Sequence, residues 1–215
     1  MIPIVPALIP TSESNVIQTL ESLRFSPEVH LDVVDGVFTS SKSWPHDPAG
    51  KPVAIKPYAD QFSLEVDLMV SEPLLAAVDW ITAGADMLVF HVETITLENF
   101  QNFAAFTHVS LGVSAHGDTP LETLLAYAEF ADYIQLMGIH TIGAQGQPFD
   151  TQVLESIKVV KAVYPDKAVT IDGSVNEHTI MQLKQAGADR FIVGSAITLQ
   201  PNPAAAHTEL SLLIN

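Results

Sequence analysis

The sequence predicts an α/β fold, a single closed barrel of eight parallel strands that alternate with helices. Three observations carry this: eight short apolar runs, stretches of helical period between most of them, and helix punctuation that recurs in both halves of the chain. The first run, Ile2 to Ile9, opens the barrel. The second, Val29 to Val34, leads into a Pro-rich and only weakly helical connection from Thr39 to Asp60. Phe62 to Met69 is followed by Ser71-Glu72-Pro73, cap residues and a proline at a helix start, and then by the helical stretch Leu74 to Ile81. Met87 to His91 is the fourth run, and Val109 to Val113, the fifth, precedes a second start of the same kind at Asp118-Thr119-Pro120. Tyr133 to Met137 leads to the helical stretch Val153 to Val163, and Ala168 to Ile171 and Phe191 to Val193 complete the set. The tetrapeptide Ala-Gly-Ala-Asp stands at 83 to 86 and again at 186 to 189, each time ending a helix on glycine just before a strand. An open flavodoxin-like sheet shares much of this pattern, but eight units in 215 residues, with a first strand able to close on the last, favour the barrel. No linker or low-complexity tract divides the chain, so residues 1–215 are expected to form one domain.

Composition narrows the function. With 47% hydrophobic and 16% charged residues the chain has the apolar area to fold. Nine basic against 25 acidic residues give a net charge of −16, which repels a nucleic-acid backbone. No stretch reaches the roughly eighteen uncharged apolar residues of a membrane span, and the N-terminus MIPIVPALIP lacks a signal peptide's features, so the expected location is cytoplasmic, with no membrane partner. There is no cysteine, hence no disulfide or thiolate chemistry, and any metal must be held by His and carboxylates. Association into a homo-oligomer is left open.

The chemistry-bearing residues sit at strand ends. In Val29-His30-Leu31-Asp32-Val33-Val34-Asp35-Gly36 the alternation of a strand sends His30 and Asp32 to one face. Asp67 ends the third strand and Asp172 the seventh, and strand ends of a barrel converge on one mouth. One imidazole and three carboxylates there suit a divalent metal ion such as zinc, manganese or iron(II), because without a cation the carboxylates repel one another. Small residues also open three successive loops, Gly143-Ala144-Gln145-Gly146-Gln147, Gly173-Ser174 and Gly194-Ser195, where a barrel binds phosphate through backbone N–H groups.

In this order the sequence resembles the ribulose-phosphate 3-epimerase family, through His30-Leu31-Asp32-Val33-Val34-Asp35-Gly36-Val37-Phe38, Asp67-Leu68-Met69, His91-Val92-Glu93, Thr119-Pro120-Leu121-Glu122, Gly146-Gln147-Pro148-Phe149, Asp172-Gly173 and Gly194-Ser195-Ala196-Ile197. The resemblance implies a TIM barrel of the ribulose-phosphate-binding type. It implies a metal-dependent isomerase that interconverts ribulose 5-phosphate and xylulose 5-phosphate through an enediolate. Asp32 and Asp172 would then be the acid/base pair, and His30, Asp32 and Asp172 metal ligands. Gly146, Gln147, Gly173, Ser174, Gly194 and Ser195 would bind the phosphate of a small sugar-phosphate substrate. Met69 and Met137 match methionines that flank the family's site, and His91 is expected to touch substrate or orient a ligand. His116 and His140, in the fifth and sixth loops where the family has Asn-Pro, have no assigned role.

Three departures stand out. Asp67 occupies the family's third-strand histidine position, Ala7 follows Pro6 where the family carries serine, and the sixth loop is one residue longer and lacks the usual Asn-Pro-Gly. They leave two alternatives, an epimerase for another ketose phosphate and a non-catalytic descendant that binds a sugar phosphate or a protein. Related decarboxylases and synthases are disfavoured, because Val33 and Val34 stand in the stretch where their Asp-x-Lys-x-x-Asp pattern carries lysine.

Overall fold

Eight strands pair in parallel in chain order and the first closes on the last. The structure is a computed structural model that describes residues 2–144 and 146–214. Its strands are β1 (Ile4–Leu8), β2 (Glu28–Val34), β3 (Ser63–Met69), β4 (Ala85–His91), β5 (Ser110–Ser114), β6 (Tyr133–Met137), β7 (Ala168–Asp172) and β8 (Arg190–Val193). The helices are α1 (Glu13–Ser22), α2 (Lys56–Ala59), α3 (Pro73–Ala83), α4 (Leu97–Phe106), α5 (Leu121–Ala128), α6 (Val153–Val163), α7 (Ile180–Ala186), α8 (Ser195–Thr198) and α9 (Pro203–Ile214). The predicted eight-unit barrel is what the chain forms. No helix is long and apolar enough to cross a membrane among the described residues.

Strand alternation splits the core into two. Outward residues such as Leu31, Val33, Val66, Leu68, Phe90, Ile134, Ile171 and Val193 join one apolar layer between barrel and helices, together with Trp80, Phe100 and Ile157 from the helices. Burying each such side chain contributes roughly 1.5–3 kcal/mol, so this layer holds the barrel shut. The inward set is different. Val5, Ala7 and Ile192 form one small apolar group and Met87, Val89 and Tyr133 another. Between these lie fully buried polar side chains, among them His30, Glu65, Asp67, Gln135, Thr170 and Arg190. A Cβ on Gly112 would meet the Tyr133 ring at 2.5 Å, so glycine is required on β5 for that ring to enter the barrel.

The helix signals hold in part. Gly84 and Gly187, from the two Ala-Gly-Ala-Asp sites, end α3 and α7 at φ of 103° and 116°, the left-handed conformation glycine favours. Pro73 opens α3 as expected, whereas Pro120 is itself the N-cap residue of α5. Neither start carries a side-chain cap, because the hydroxyls are used elsewhere: Ser71 donates to Asp35 and Thr119 to Glu93. The Pro-rich second connection contains only a 3-10 turn at Pro52–Ile55 and the four residues of α2.

Asp35, just past β2, ties the second loop to the third. Partial burial pushes its carboxyl up, but the Ser71 N–H and hydroxyl and the Val37 and Phe38 N–H groups all donate to it and hold it down at about 2. A depressed folded pKa gives stability that is present above the unfolded value of 3.8 and lost as pH falls through about 2. Acidification from about pH 5 to about pH 2 is therefore expected to remove roughly 1–2 kcal/mol through this residue, discounted for its partial exposure. Urea unfolding across that range checks it, since Asp35→Asn should show a shallower loss of stability than the parent; equal slopes would contradict the assignment.

Candidate active site

The register of β2 against β3 builds the centre. His30 lies opposite Glu65 and Asp32 opposite Asp67, while β6 and β7 bring Met137 beside Asp172. One potential ligand atom from each of His30, Asp32, Asp67 and Asp172 lies within 4.8 Å of the others, and all four residues are buried. His30 bonds Glu65 Oε2 through Nδ1 at 2.6 Å and faces Asp32 Oδ1 through Nε2 at 3.1 Å. Asp67 accepts from His91 Nε2 at 3.0 Å and from Gln135 Nε2 at 2.7 Å. Among the described residues, no hydrogen-bond donor reaches the Asp172 carboxylate.

The electrostatics follow from this crowding. Burial raises the Asp172 carboxyl well above its usual value, and the neighbouring Asp32 pushes it the same way. Burial also raises Asp32, opposed by its bond and attraction to His30. Burial alone would lower His30, yet the charge of Glu65 and the bonds to Asp32 and Glu65 raise it well above 6.5. Glu65 is held at about 2 in spite of burial by Arg190 and His30. The centre is thus short of positive charge, which is what pushes His30 upward.

A cavity of about 210 Å³ opens above these groups. Asp32, Asp172, Met69 and Met137 line it, and so do Gly146, Gln147, Gly173, Ser174, Gly194 and Ser195. Every expected phosphate-loop residue is therefore on the cavity wall; Gln145, quoted with the sixth loop, falls outside the described residues. Ser174 has a positive φ of 53° and its hydroxyl donates to the Gln147 carbonyl, which joins the sixth loop to the seventh. The first bonds inside α8 are made by the N–H groups of Ile197 and Thr198 to Gly194, so those of Ser195 and Ala196 precede the helical ladder. The wall carries no lysine or arginine among the described residues.

His91 takes the second of its two expected roles, orienting a candidate ligand. It does not line the cavity but lies behind Asp67, fully buried, with its imidazole taken up in bonding that carboxylate and Phe38 packed on its ring at 5.3 Å. Its Nδ1 has no hydrogen-bond partner among the described residues. Glu93 Oε2 stands 3.9 Å from that nitrogen, while its Oε1 accepts from His116 N and Thr119. His116 and His140 stand together on the rim, rings 5.6 Å apart, each 3.5 Å from an Asp118 oxygen, away from the cavity wall. Ala7 is at the wall as well, beside Ile9, so an apolar surface replaces any hydroxyl there. Asn176 on the cavity wall, and Glu65, Gln135, Tyr133 and Arg190 beneath it, were not anticipated. Three of the last four sit at period two with expected site residues, Glu65 with Asp67 and Tyr133 with Gln135 and Met137, and that alternation is the signal that reveals them.

The residues present fit a divalent cation. Three carboxylates and one imidazole offer hard donors at mutual distances a single ion spans, in a buried spot where repulsion is otherwise relieved only by protons.

Comparison with known proteins agrees with the geometry. The sequence model of the ribulose-phosphate 3 epimerase family matches residues 4–198. The chain is 28% identical to a ribulose-phosphate 3-epimerase of Mycobacterium tuberculosis over 209 residues, 94% of this chain and 89% of the relative. It is 30% identical to that of Bacillus subtilis over 190 residues, covering 85% and 84%. Among solved structures, 3-hexulose-6-phosphate synthase superposes with a TM-score of 0.74 over all of both chains at 17% identity. KGPDC from Streptococcus mutans gives 0.71 over 100% of this chain and 98% of that one, at 14% identity. These two likenesses are of fold. The family match spans most of the chain and meets the barrel and its His/Asp centre in the same residues: the chain belongs to the ribulose-phosphate 3-epimerase family, and is an isomerase-type enzyme.

Proposed function

We propose that the chain interconverts ribulose 5-phosphate and xylulose 5-phosphate by moving the C3 proton between Asp32 and Asp172. The observation that carries this reading is the meeting of both carboxylates, from well-separated strands of the barrel, in one cavity beside His30 and Asp67. Inversion needs an acid and a base on opposite faces of a flat enediolate, one removing the proton and the other returning it. Repulsion between Asp32 and Asp172 favours a single proton held by the pair, which leaves one member as base and the other as acid. A divalent cation held by His30, Asp32, Asp67 and Asp172 would supply charge stabilisation as the enediolate oxygens become negative. Met69 and Met137 exclude water from the reacting carbon, so that proton exchange is limited to the carboxyl groups. On the same wall, neutral dipoles at Gly146, Gln147, Gly173, Ser174, Gly194 and Ser195 receive the phosphate, which suits a cavity without cationic side chains. The cysteine-free composition fits a cytoplasmic enzyme.

The test is turnover of ribulose 5-phosphate in D2O by protein loaded in turn with manganese, iron(II) and zinc. The expected product is xylulose 5-phosphate with one solvent deuteron at C3, formed at about 1–10³ s⁻¹ with at least one of the metals. Absence of both product and deuterium uptake with all three would remove the reading.

A further inference from the structure

We infer that Glu65 is a positioning residue for His30, fixing which imidazole nitrogen faces the centre, and that Arg190 supplies the counter-charge a buried carboxylate at that place needs. This rests on the metal-binding reading above and extends it to residues beneath the cavity.

Barrel interiors are ordinarily filled with branched apolar side chains. Here the layer under the centre is Glu65, Tyr133 and Arg190, all buried, with Glu28 at its edge. A buried ion pair stabilises a fold little better than apolar residues of the same volume, so its presence at this level points to a task other than stability. The bonds describe the task. Arg190 Nη1 donates to both oxygens of Glu65, at 3.0 and 2.8 Å, and Arg190 Nη2 donates to Glu28 at 3.2 Å. The Tyr133 hydroxyl donates to Glu65 Oε1, which leaves Oε2 turned to His30 Nδ1 at 2.6 Å. An ionised carboxylate only accepts, so Nδ1 carries the hydrogen. The other nitrogen, Nε2, points at Asp32, and its lone pair is the one a cation in the centre can use. Glu65 stands directly opposite His30 in the β2–β3 register, so no other side chain on β3 can take this place.

Removing Glu65 alone would strand the charge of Arg190 inside the barrel, so the test uses paired changes. In Glu65→Gln with Arg190→Met the amide oxygen still accepts from Nδ1–H; in Glu65→Leu with Arg190→Met nothing does. Zinc and manganese affinities are measured by competition with a chromophoric chelator, with far-UV circular dichroism and thermal midpoints to establish the fold. The Gln pair is expected to stay within a few-fold of the parent and the Leu pair to bind about 10–100-fold more weakly. On the zinc-loaded parent, 15N NMR of His30 is expected to report Nδ1 protonated and Nε2 coordinated. A folded Leu pair with parental affinity, or NMR with the two nitrogens exchanged, overturns this inference and leaves the proposed function standing. A parent chain that takes up neither ion overturns the metal reading beneath both.

Discussion

Asp172→Asn is expected to lower the epimerisation rate by about 10²–10⁴-fold, the range lost when a positioned proton donor or acceptor is removed. The amide keeps the shape of the carboxyl but neither takes nor returns a proton at C3. Its effect on the fold should have the opposite sign. Burial and the charge on Asp32 make an ionised Asp172 costly, so at neutral pH and without metal the asparagine variant should melt at or above the parent's midpoint. Melting curves of the chelator-treated proteins and steady-state rates of the metal-loaded ones separate the two effects. Full turnover would remove Asp172 from the chemistry, and a lowered midpoint would contradict the electrostatic account of the centre.

Metal removal is the second large effect. Exhaustive treatment with a chelator should abolish turnover, and adding back a hard divalent ion such as manganese should restore it. If Asp67 is a ligand, it bears on which ion serves best. It makes a third carboxylate beside a single imidazole, and this shifts the donor set away from zinc. Asp67→His should therefore raise zinc affinity relative to manganese by at least about 10-fold, as read by competition with a chelator. An unchanged ratio would mean that Asp67 is not a ligand. Its two bonds, from His91 and Gln135, would then define it as a buried anion neutralised by the protein alone.

Much of this was legible in the residues themselves. Strand ends and helix stops announce themselves through local chemistry, so the eight runs, the Val153 to Val163 helix and the two glycine stops lie where the periodicity predicts. The four candidate ligands could be named because each lies on a strand with its side chain turned inward, and a closed barrel brings inward side chains of separate strands together. The misses share one cause: a side chain's partner belongs to another element, which local pattern does not specify. Ser71 and Thr119 read as caps, yet carboxylates from preceding loops claim their hydroxyls. His91 reads either as a substrate contact or as the support of a ligand, and only Asp67, on the neighbouring strand, decides for the second. Arg190 follows Ala-Gly-Ala-Asp at a strand start, where a charged residue usually points to solvent; Glu65, 125 positions earlier, and Glu28 explain its burial.

That separation bears on how the molecule is made. Without the eighth strand Glu65 keeps His30 and the Tyr133 hydroxyl as partners but lacks its guanidinium counter-charge. An incomplete barrel then carries an under-compensated anion at its axis, which favours an open, hydrated assembly until Arg190 arrives. A chain truncated before β8 is therefore expected to lose stability through its own interior as well as through the strand edges it leaves open.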